Sequence, residues 1–133
     1  NALEIYERLA ITNPATYEPD VARTQSNLGV LYRNKNDYPA ALKAYTKALE
    51  IRERLAITNP ATYEPGVAKV QINLGVLYED KNDYSAAFKA YTNALEIYER
   101  LEVYEVKRQE LKNILDQARY KTLIKYGSNK QGQ

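Results

Sequence analysis

The chain repeats itself with a period of 46 residues, and this repeat constrains the possible folds more than any other feature. Residues 2–47 align without a gap onto residues 48–93, and the two copies differ at ten positions. A third copy begins in register at Ala94, matches as far as Leu101 and then diverges. Units of this length stack on their neighbours and bury a shared core. The sequence therefore predicts a linear stack of similar units.

Each unit has the apolar spacing of two helices. Apolar residues recur at steps of three and four, as one face of a helix requires. They are Val21, Leu28, Leu31 and Tyr32 in the first helix, and Ala41, Leu42, Tyr45, Ala48, Leu49 and Leu55 in the second. We predict first helices at about 19–35 and 65–81, and second helices at about 38–57 and 84–102. The fold class is all-α.

Proline and asparagine mark the predicted helix ends. Pro19 suits the first position of a helix, where an amide hydrogen would have no partner. Asn36 and Asp37 supply capping side chains before the second helix. Asn13-Pro14 breaks the chain, because the residue before a proline is pushed out of the helical region. The same residues recur in the second unit as Pro65, Asn82, Asp83 and Asn59-Pro60. A long loop is therefore expected before each first helix.

The repeated residues resemble the tetratricopeptide signature, in which Leu-Gly-x-x-Tyr is followed by spaced Ala, aromatic and Ala positions. The matches are Leu28, Gly29, Tyr32, Ala41, Tyr45 and Ala48, and then Leu74, Gly75, Tyr78, Ala87, Tyr91 and Ala94. The long unit is similar to the kinesin-light-chain style of this family. The resemblance covers residues 1–101 and implies a right-handed α-solenoid of antiparallel helix hairpins.

One departure concerns the start of each first helix. The family usually has a large apolar residue where this chain has Gln25 and Gln71. We expect Tyr17 and Tyr63, from the predicted long loops, to fill the space. The small residues, including Gly29 and Gly75, are expected to let helix backbones approach closely.

The repeats divide the chain into one predicted domain, residues 1–126. Residues 1–11 match the end of a truncated repeat, 19–57 form repeat 1, 65–102 form repeat 2, and 103–126 form a C-terminal capping helix. Residues 127–133 are predicted to be a flexible tail.

The resemblance implies a binding groove on the exposed faces of the first helices, which line up in a stacked array. The implied groove positions are Arg23, Ser26, Asn27, Val30, Arg33, Asn34, Lys69, Ile72, Asn73, Val76, Glu79 and Asp80. Asn27 and Asn73 are the strongest candidates, because in relatives an Asn at this position holds the backbone of a bound peptide. The alternative is a cap-like or inter-helix hydrogen bond from these amides.

The ligand is constrained only weakly. Five of the ten differences between the copies fall on or next to the groove face. Relatives that clamp a C-terminal carboxylate use a Lys/Asn set that Ser26, Ile72, Val30 and Val76 do not reproduce. The predicted groove has an apolar middle, a basic end at Arg23 and Arg33, and an acidic end at Glu79 and Asp80. An extended segment with an apolar anchor and charges of both signs would suit it.

The amino-acid composition argues against catalysis and metal binding by this chain. It contains no His and no Cys, so the usual general base, thiol nucleophile and soft metal ligands are missing. We expect no enzymatic activity, no cofactor and no metal. The net charge of +2 does not indicate a nucleic-acid partner, and no apolar run is long enough to span a membrane. The compartment is not determined, with the cytoplasm favoured.

The residues after Leu101 leave three interpretations open. An amphipathic stretch is formed by Leu111, Ile114, Leu115, Ala118 and Leu123. The basic residues of this segment lie mostly on the other side: Lys107, Arg108, Lys112, Arg119, Lys121 and Lys125. A capping helix comes first, since repeat arrays need a terminal helix with a polar outer face. Alternatively, the basic face contacts nucleic acid or an anionic membrane. In the third interpretation, residues 84–126 form one continuous helix that pairs with another chain.

The sequence thus predicts a module that binds a protein or peptide in its groove, without a nucleic-acid or membrane partner. The alternative is a self-association scaffold whose chains assemble through their ends. A homodimer through the truncated N-terminal end, near Leu3 and Tyr6, would be the closed form of that assembly.

Overall fold

The computed structural model describes residues 1–101 and 105–131, with side chains for residues 1–101 and 108–125. Within these residues the chain forms six helices and no strand. They are α1 (Ala2–Thr12), α2 (Pro14–Asn34), α3 (Tyr38–Thr58), α4 (Pro60–Asp80), α5 (Tyr84–Arg100) and α6 (Glu105–Gln131). The predicted all-α class is confirmed.

The loops expected before α2 and α4 do not exist. A single non-helical residue, Asn13, separates α1 from α2. Its φ of −143° and ψ of 70° lie outside the helical region, which is disfavoured for the residue before a proline. Pro14 takes the first helical position that the sequence assigned to Pro19, which lies inside α2. Pro19 removes only the hydrogen bond to the carbonyl of Ala15, and Ala15 is exposed, so water can replace that bond. The helix therefore begins five residues earlier than predicted.

The second repeat shows the same correction. Asn59 separates α3 from α4, and its side chain accepts a hydrogen bond from the Thr62 amide at 3.3 Å. Tyr17 and Tyr63, which were predicted to lie in loops, are half-buried helical residues.

The turns inside each hairpin follow the prediction. Asn36 and Asn82 have positive φ values of 61° and 60°, a conformation that asparagine tolerates better than most residues. The next residues cap the following helices: Asp37 accepts from the Ala40 amide, and Asp83 from the Ala86 amide, both at 3.2 Å. These caps fix where α3 and α5 begin.

The helices stack in chain order. Each one packs against the next, and α2 also contacts α4. One buried cluster joins α3 to α4 and α5, and a second joins α4, α5 and α6. The first cluster contains Ala41, Tyr45, Ala48, Val70, Leu74, Leu77 and Ala90. This is the packing of an α-solenoid, in which neighbouring units share their cores.

The glycines of the signature allow a tyrosine ring to pack onto a helix backbone. Tyr45 and Tyr91 are each 1% exposed. The ring of Tyr45 lies on Gly29, and that of Tyr91 on Gly75. A Cβ atom at Gly75 would lie 2.7 Å from Cδ1 of Tyr91, closer than real side chains approach.

The C-terminal helix covers the end of the stack. Leu101 leaves the helical region with φ −105° and ψ 85°, so the continuous helix considered for residues 84–126 is wrong. α6 packs back on α5 and buries Leu111 and Ala118. The predicted capping helix is confirmed. Leu123, however, is 64% exposed and lies outside the buried face that the sequence assigned to it.

The ends of this segment differ from the prediction. α6 continues to Gln131, past residue 126 where the sequence placed its end. Residues 103 and 104 of the predicted capping helix, and residues 132 and 133 of the predicted tail, lie outside the described residues. The flexibility expected for 127–133 stays a prediction.

Candidate protein-interaction groove

A cleft of about 290 Å³ lies where α2, α3 and α4 meet. Its lining residues are Arg23, Ser26, Asn27, Val30, Arg52, Lys69 and Asn73. A larger cleft of about 450 Å³ continues from it towards α5 and is lined by Arg52, Pro65, Gly66, Lys69, Ile72, Asn73 and Tyr98. The two share Arg52, Lys69 and Asn73, so they form one surface, called here the α2–α4 groove. It brings together seven of the twelve predicted positions.

The two asparagines are available to a ligand. Asn27 is exposed and Asn73 is half-buried, and both line the cleft between α2 and α4. Among the described residues, neither side-chain amide forms a hydrogen bond. The alternative role considered for them, a cap-like or inter-helix bond, is therefore not seen. Each amide offers a donor and an acceptor to an extended backbone.

The apolar positions differ in how much surface they offer. Val30 is 40% exposed on the groove. Ile72 and Val76 are half-buried and so offer less surface than Val30, because they pack against the cluster of α4, α5 and α6. One of the five differences assigned to this face or its edge is Val70, which replaces Thr24 of the first copy and is fully buried between the repeats. That difference belongs to the packing of α4 on α3.

The predicted charged ends of the groove pair with protein groups. Arg33 Nε lies 2.6 Å from Asp80 Oδ2, and this hydrogen bond raises the pKa of Arg33. Glu79 lies 3.9 Å from Lys121 of α6. Asn34 is exposed but lines neither cleft. The basic Arg33 and the acidic Asp80 are thus neighbours, and do not form opposite ends of the groove.

Ser26 is the one described residue with a fully buried, unpartnered side-chain oxygen. The residue is 8% exposed and lines the cleft beside Asn27. A buried hydroxyl without a hydrogen-bond partner costs free energy, which the packing around Ser26 must offset.

Arg52 is the groove residue that the sequence reasoning missed. It extends from α3 into both clefts, and its Nη1 donates to the Gly66 carbonyl at 3.3 Å. Burial lowers the pKa of Arg52, and the nearby charge of Arg23 lowers it further. The sequence did contain a signal: the other two copies have Tyr6 and Tyr98 at this position.

The basic face of α6 is engaged with the rest of the chain. The guanidinium of Arg119 lies 5.7 Å from the Phe88 ring centre, and Lys121 and Lys125 lie 6.0 and 5.7 Å from that of Tyr84. Lys112 lies 4.0 Å from Glu99. The side chain of Lys107 lies outside the described residues. These contacts join α6 to α5, as expected of a capping helix.

Comparison with known proteins identifies the repeats. Profiles described as tetratricopeptide repeat match residues 22–55 and 68–100. The chain belongs to the tetratricopeptide repeat family. Among solved structures it is similar to BtubC (BKLC) from P. vanneervenii, with 25% identity and a TM-score of 0.58. The match covers 94% of this chain and 57% of the BtubC chain. Comparison with curated proteins gave no significant match.

Tetratricopeptide repeats are generally protein–protein interaction modules, and proteins built from them are typically scaffolds without catalytic activity. In the described part of this tetratricopeptide chain, no helix is both long and apolar enough to cross a membrane. The same part contains no group of three or more acidic side chains placed to hold a metal ion. Protein partners are therefore the class of ligand that the family indicates.

Proposed function

We propose that this chain binds an extended segment of a partner protein in the α2–α4 groove. The observation that carries the proposal is the pair of asparagines, Asn27 and Asn73, which line one cleft and have no hydrogen bond among the described residues. The two asparagines occupy equivalent positions of adjacent repeats, which supports a contact of each amide with the backbone of one extended segment. Val30 and Ile72 supply apolar surface beside them.

Selection from a random twelve-residue peptide library on the immobilised chain provides ligands for the test. The Asn27→Ala/Asn73→Ala variant should bind a selected peptide about tenfold or more weakly, because each lost hydrogen bond costs about 1–3 kcal/mol. Its helical circular dichroism should equal that of the parent. Asn113→Ala, on the exposed side of α6, is the matched control and should bind like the parent. Affinity of the double variant within about twofold of the parent would contradict the proposal.

A second candidate, self-association, is favoured by an open apolar face at the α1 end. Leu31 is 46% exposed, whereas Leu77 at the same position of the second repeat is fully buried in the cluster that α3 shares with α4. The cleft on this open face has a volume of about 320 Å³ and is lined by Leu3, Gln25, Leu28, Tyr32, Ala40, Lys43, Ala44 and Lys47. We propose a two-fold dimer through this face, since such contacts are self-complementary and closed.

Sedimentation at rising concentration tests the dimer. The parent chain should dimerise, and Leu31→Glu should abolish dimerisation because it places a charge in the apolar contact. Ile57→Glu, which changes an 81% exposed residue away from this face, should leave it intact. A parent chain that stays monomeric up to about millimolar concentration would contradict the second candidate.

A further inference from the structure

We propose that Arg52 holds a carboxylate of the bound segment, so that the α2–α4 groove selects partner segments with an acidic residue at this point. The inference rests on the proposed function, since it names the chemistry of the ligand in the same groove. It is carried by the position of Arg52, by the absence of an ion pair between Arg52 and any carboxylate of the described residues, and by the difference of Arg52 from its equivalents in the other repeats.

Arg52 lies at the centre of the α2–α4 groove. It lines both clefts of the groove and also a third cleft of about 240 Å³, together with Asp20, Arg23 and Tyr63. Its one hydrogen bond among the described residues goes to the Gly66 carbonyl, and it forms no ion pair with a carboxylate of those residues. A half-buried guanidinium without an anion is costly, because it has lost water and gained no opposite charge. A ligand carboxylate would offset that cost with two parallel hydrogen bonds.

The fold does not require this charge. The equivalent residues in the other copies are Tyr6 and Tyr98, and Tyr98 is 4% exposed in the cluster of α4, α5 and α6. A tyrosine therefore fits the same place on a second helix of the stack. Arginine at position 52 adds a cation to the groove while the surrounding ALEIxERL sequence stays unchanged.

A second difference removes the carboxylate that would neutralise the site. In repeat 1, Asp20 pairs with Arg23 at 2.9 Å. In repeat 2 the equivalents are Gly66 and Lys69, so Lys69 lacks this partner and forms no ion pair within the described residues. Gly66 also leaves room for Arg52, since a Cβ atom there would lie 3.1 Å from Arg52 Cδ. Arg52 and Lys69 therefore line the same cleft, and neither forms an ion pair with a carboxylate of the described residues.

The neighbouring polar groups complete a carboxylate site. Asn27 and Asn73 contribute amide donors on the same cleft. A carboxylate oxygen accepts from groups of this kind, and its two oxygens match the fork of a guanidinium. The site differs from the set implied by the family's carboxylate clamp, because its central cation comes from a second helix, α3.

The test uses peptides selected from the random twelve-residue library and resynthesised with acetylated and amidated ends, so that only side-chain carboxylates remain. Each acidic residue is replaced in turn by its amide, which identifies the carboxylate that matters. Parent protein should bind the acidic peptide about tenfold or more tightly than the amide peptide. Arg52→Tyr, which restores the residue of the other repeats, should reduce the preference for the acidic over the amide peptide to within about twofold.

Arg54→Tyr is the matched control. This residue lies on the same helix, pairs with Glu18 and lines no part of the groove, so its loss should not change the acid preference. Gly66→Asp is an independent variant that keeps Arg52 but supplies an internal carboxylate, and it should also reduce the preference. Circular dichroism and denaturation midpoints identify any variant that has lost its fold.

The outcomes separate the two proposals. Selected peptides that depend on Asn27 and Asn73 but have no acid preference would overturn the Arg52 inference alone. An acid preference that persists in Arg52→Tyr would overturn it as well. Failure to select any binding peptide would overturn the proposed function and this inference with it.

Discussion

Arg33 of α2 donates a hydrogen bond from Nε to Oδ2 of Asp80 in α4 across 2.6 Å. The pair joins the two first helices, which are separated along the chain by α3. Both positions differ between the repeats, where Glu79 corresponds to Arg33 and Asn34 to Asp80. The repeats have therefore diverged in a way that creates a contact between them, and the charges do not remain free for a ligand.

The Arg33–Asp80 pair should contribute little to stability. Its side chains are 32% and 30% exposed, and ion pairs near water contribute about 0–1 kcal/mol. We expect Arg33→Gln, Asp80→Asn and the double variant each to lower the free energy of unfolding by no more than about 1 kcal/mol. Urea denaturation of all four proteins gives the coupling energy. A coupling well above that range would show that the pair is essential to the stack.

Gly75 should not tolerate a larger side chain, because Tyr91 fills the space beside it. Gly75→Leu is expected to cost about 1–3 kcal/mol or more through overpacking. Gly66→Ala is the comparison, since its Cβ would meet the flexible Arg52 side chain and no buried ring. Denaturation midpoints should fall markedly only for Gly75→Leu. Equal midpoints for that variant and the parent would contradict the packing of Tyr91 on Gly75.

Stability should fall above about pH 10, because burial raises the pKa values of Tyr45 and Tyr91 above their ordinary value of 10.0. The unfolded chain ionises these phenols near that pH while the folded chain keeps them neutral, so their contribution is complete below pH 10 and is lost as the pH rises further. Urea denaturation between about pH 8 and 11 measures the slope. Tyr91→Phe should reduce the slope, and Tyr120→Phe, at a 65% exposed site, should not. Indistinguishable slopes for Tyr91→Phe and the parent would contradict the burial of this phenol.

The attachment of α6 can be tested at Leu111, which is 1% exposed. Leu111→Ala should lower the free energy of unfolding by about 2–5 kcal/mol, since it removes a buried side chain and leaves a cavity. Leu123→Ala makes the same chemical change on the same helix at a 64% exposed site and should have a much smaller effect. Similar effects of the two substitutions would mean that α6 does not cap the stack as described.

The repeat and its signature were sufficient to predict the all-α stack, but the starts of α2 and α4 were not predictable. Pro14 and Pro19 are both acceptable near the beginning of a helix. The choice between them depends on whether residues 14–18 gain enough from continuing the helix to offset one lost hydrogen bond, at Ala15. That balance is set by packing, which a local pattern does not contain.

The groove-lining residues of the first helices, α2 and α4, could be predicted from the sequence. The lining residue contributed by α3 could not. The resemblance to the tetratricopeptide signature implied Asn27, Asn73 and Lys69 as groove positions, and all three line the cleft between α2 and α4. Arg52 required knowing that a second helix reaches the same cleft. The pairing of Arg33 with Asp80 depends on the distance between α2 and α4, which the sequence does not specify.

The most direct test of the central claim is to map a bound peptide by nuclear magnetic resonance. A peptide selected from the random library is added to isotope-labelled protein, and amide chemical shifts are followed to saturation. We predict that the largest changes fall on the side-chain amides of Asn27 and Asn73 and on the adjoining backbone of α2 and α4, while α6 is unchanged. Saturable changes confined to α6, or to α1 and the Lys43–Lys47 region of α3, would contradict binding in the α2–α4 groove.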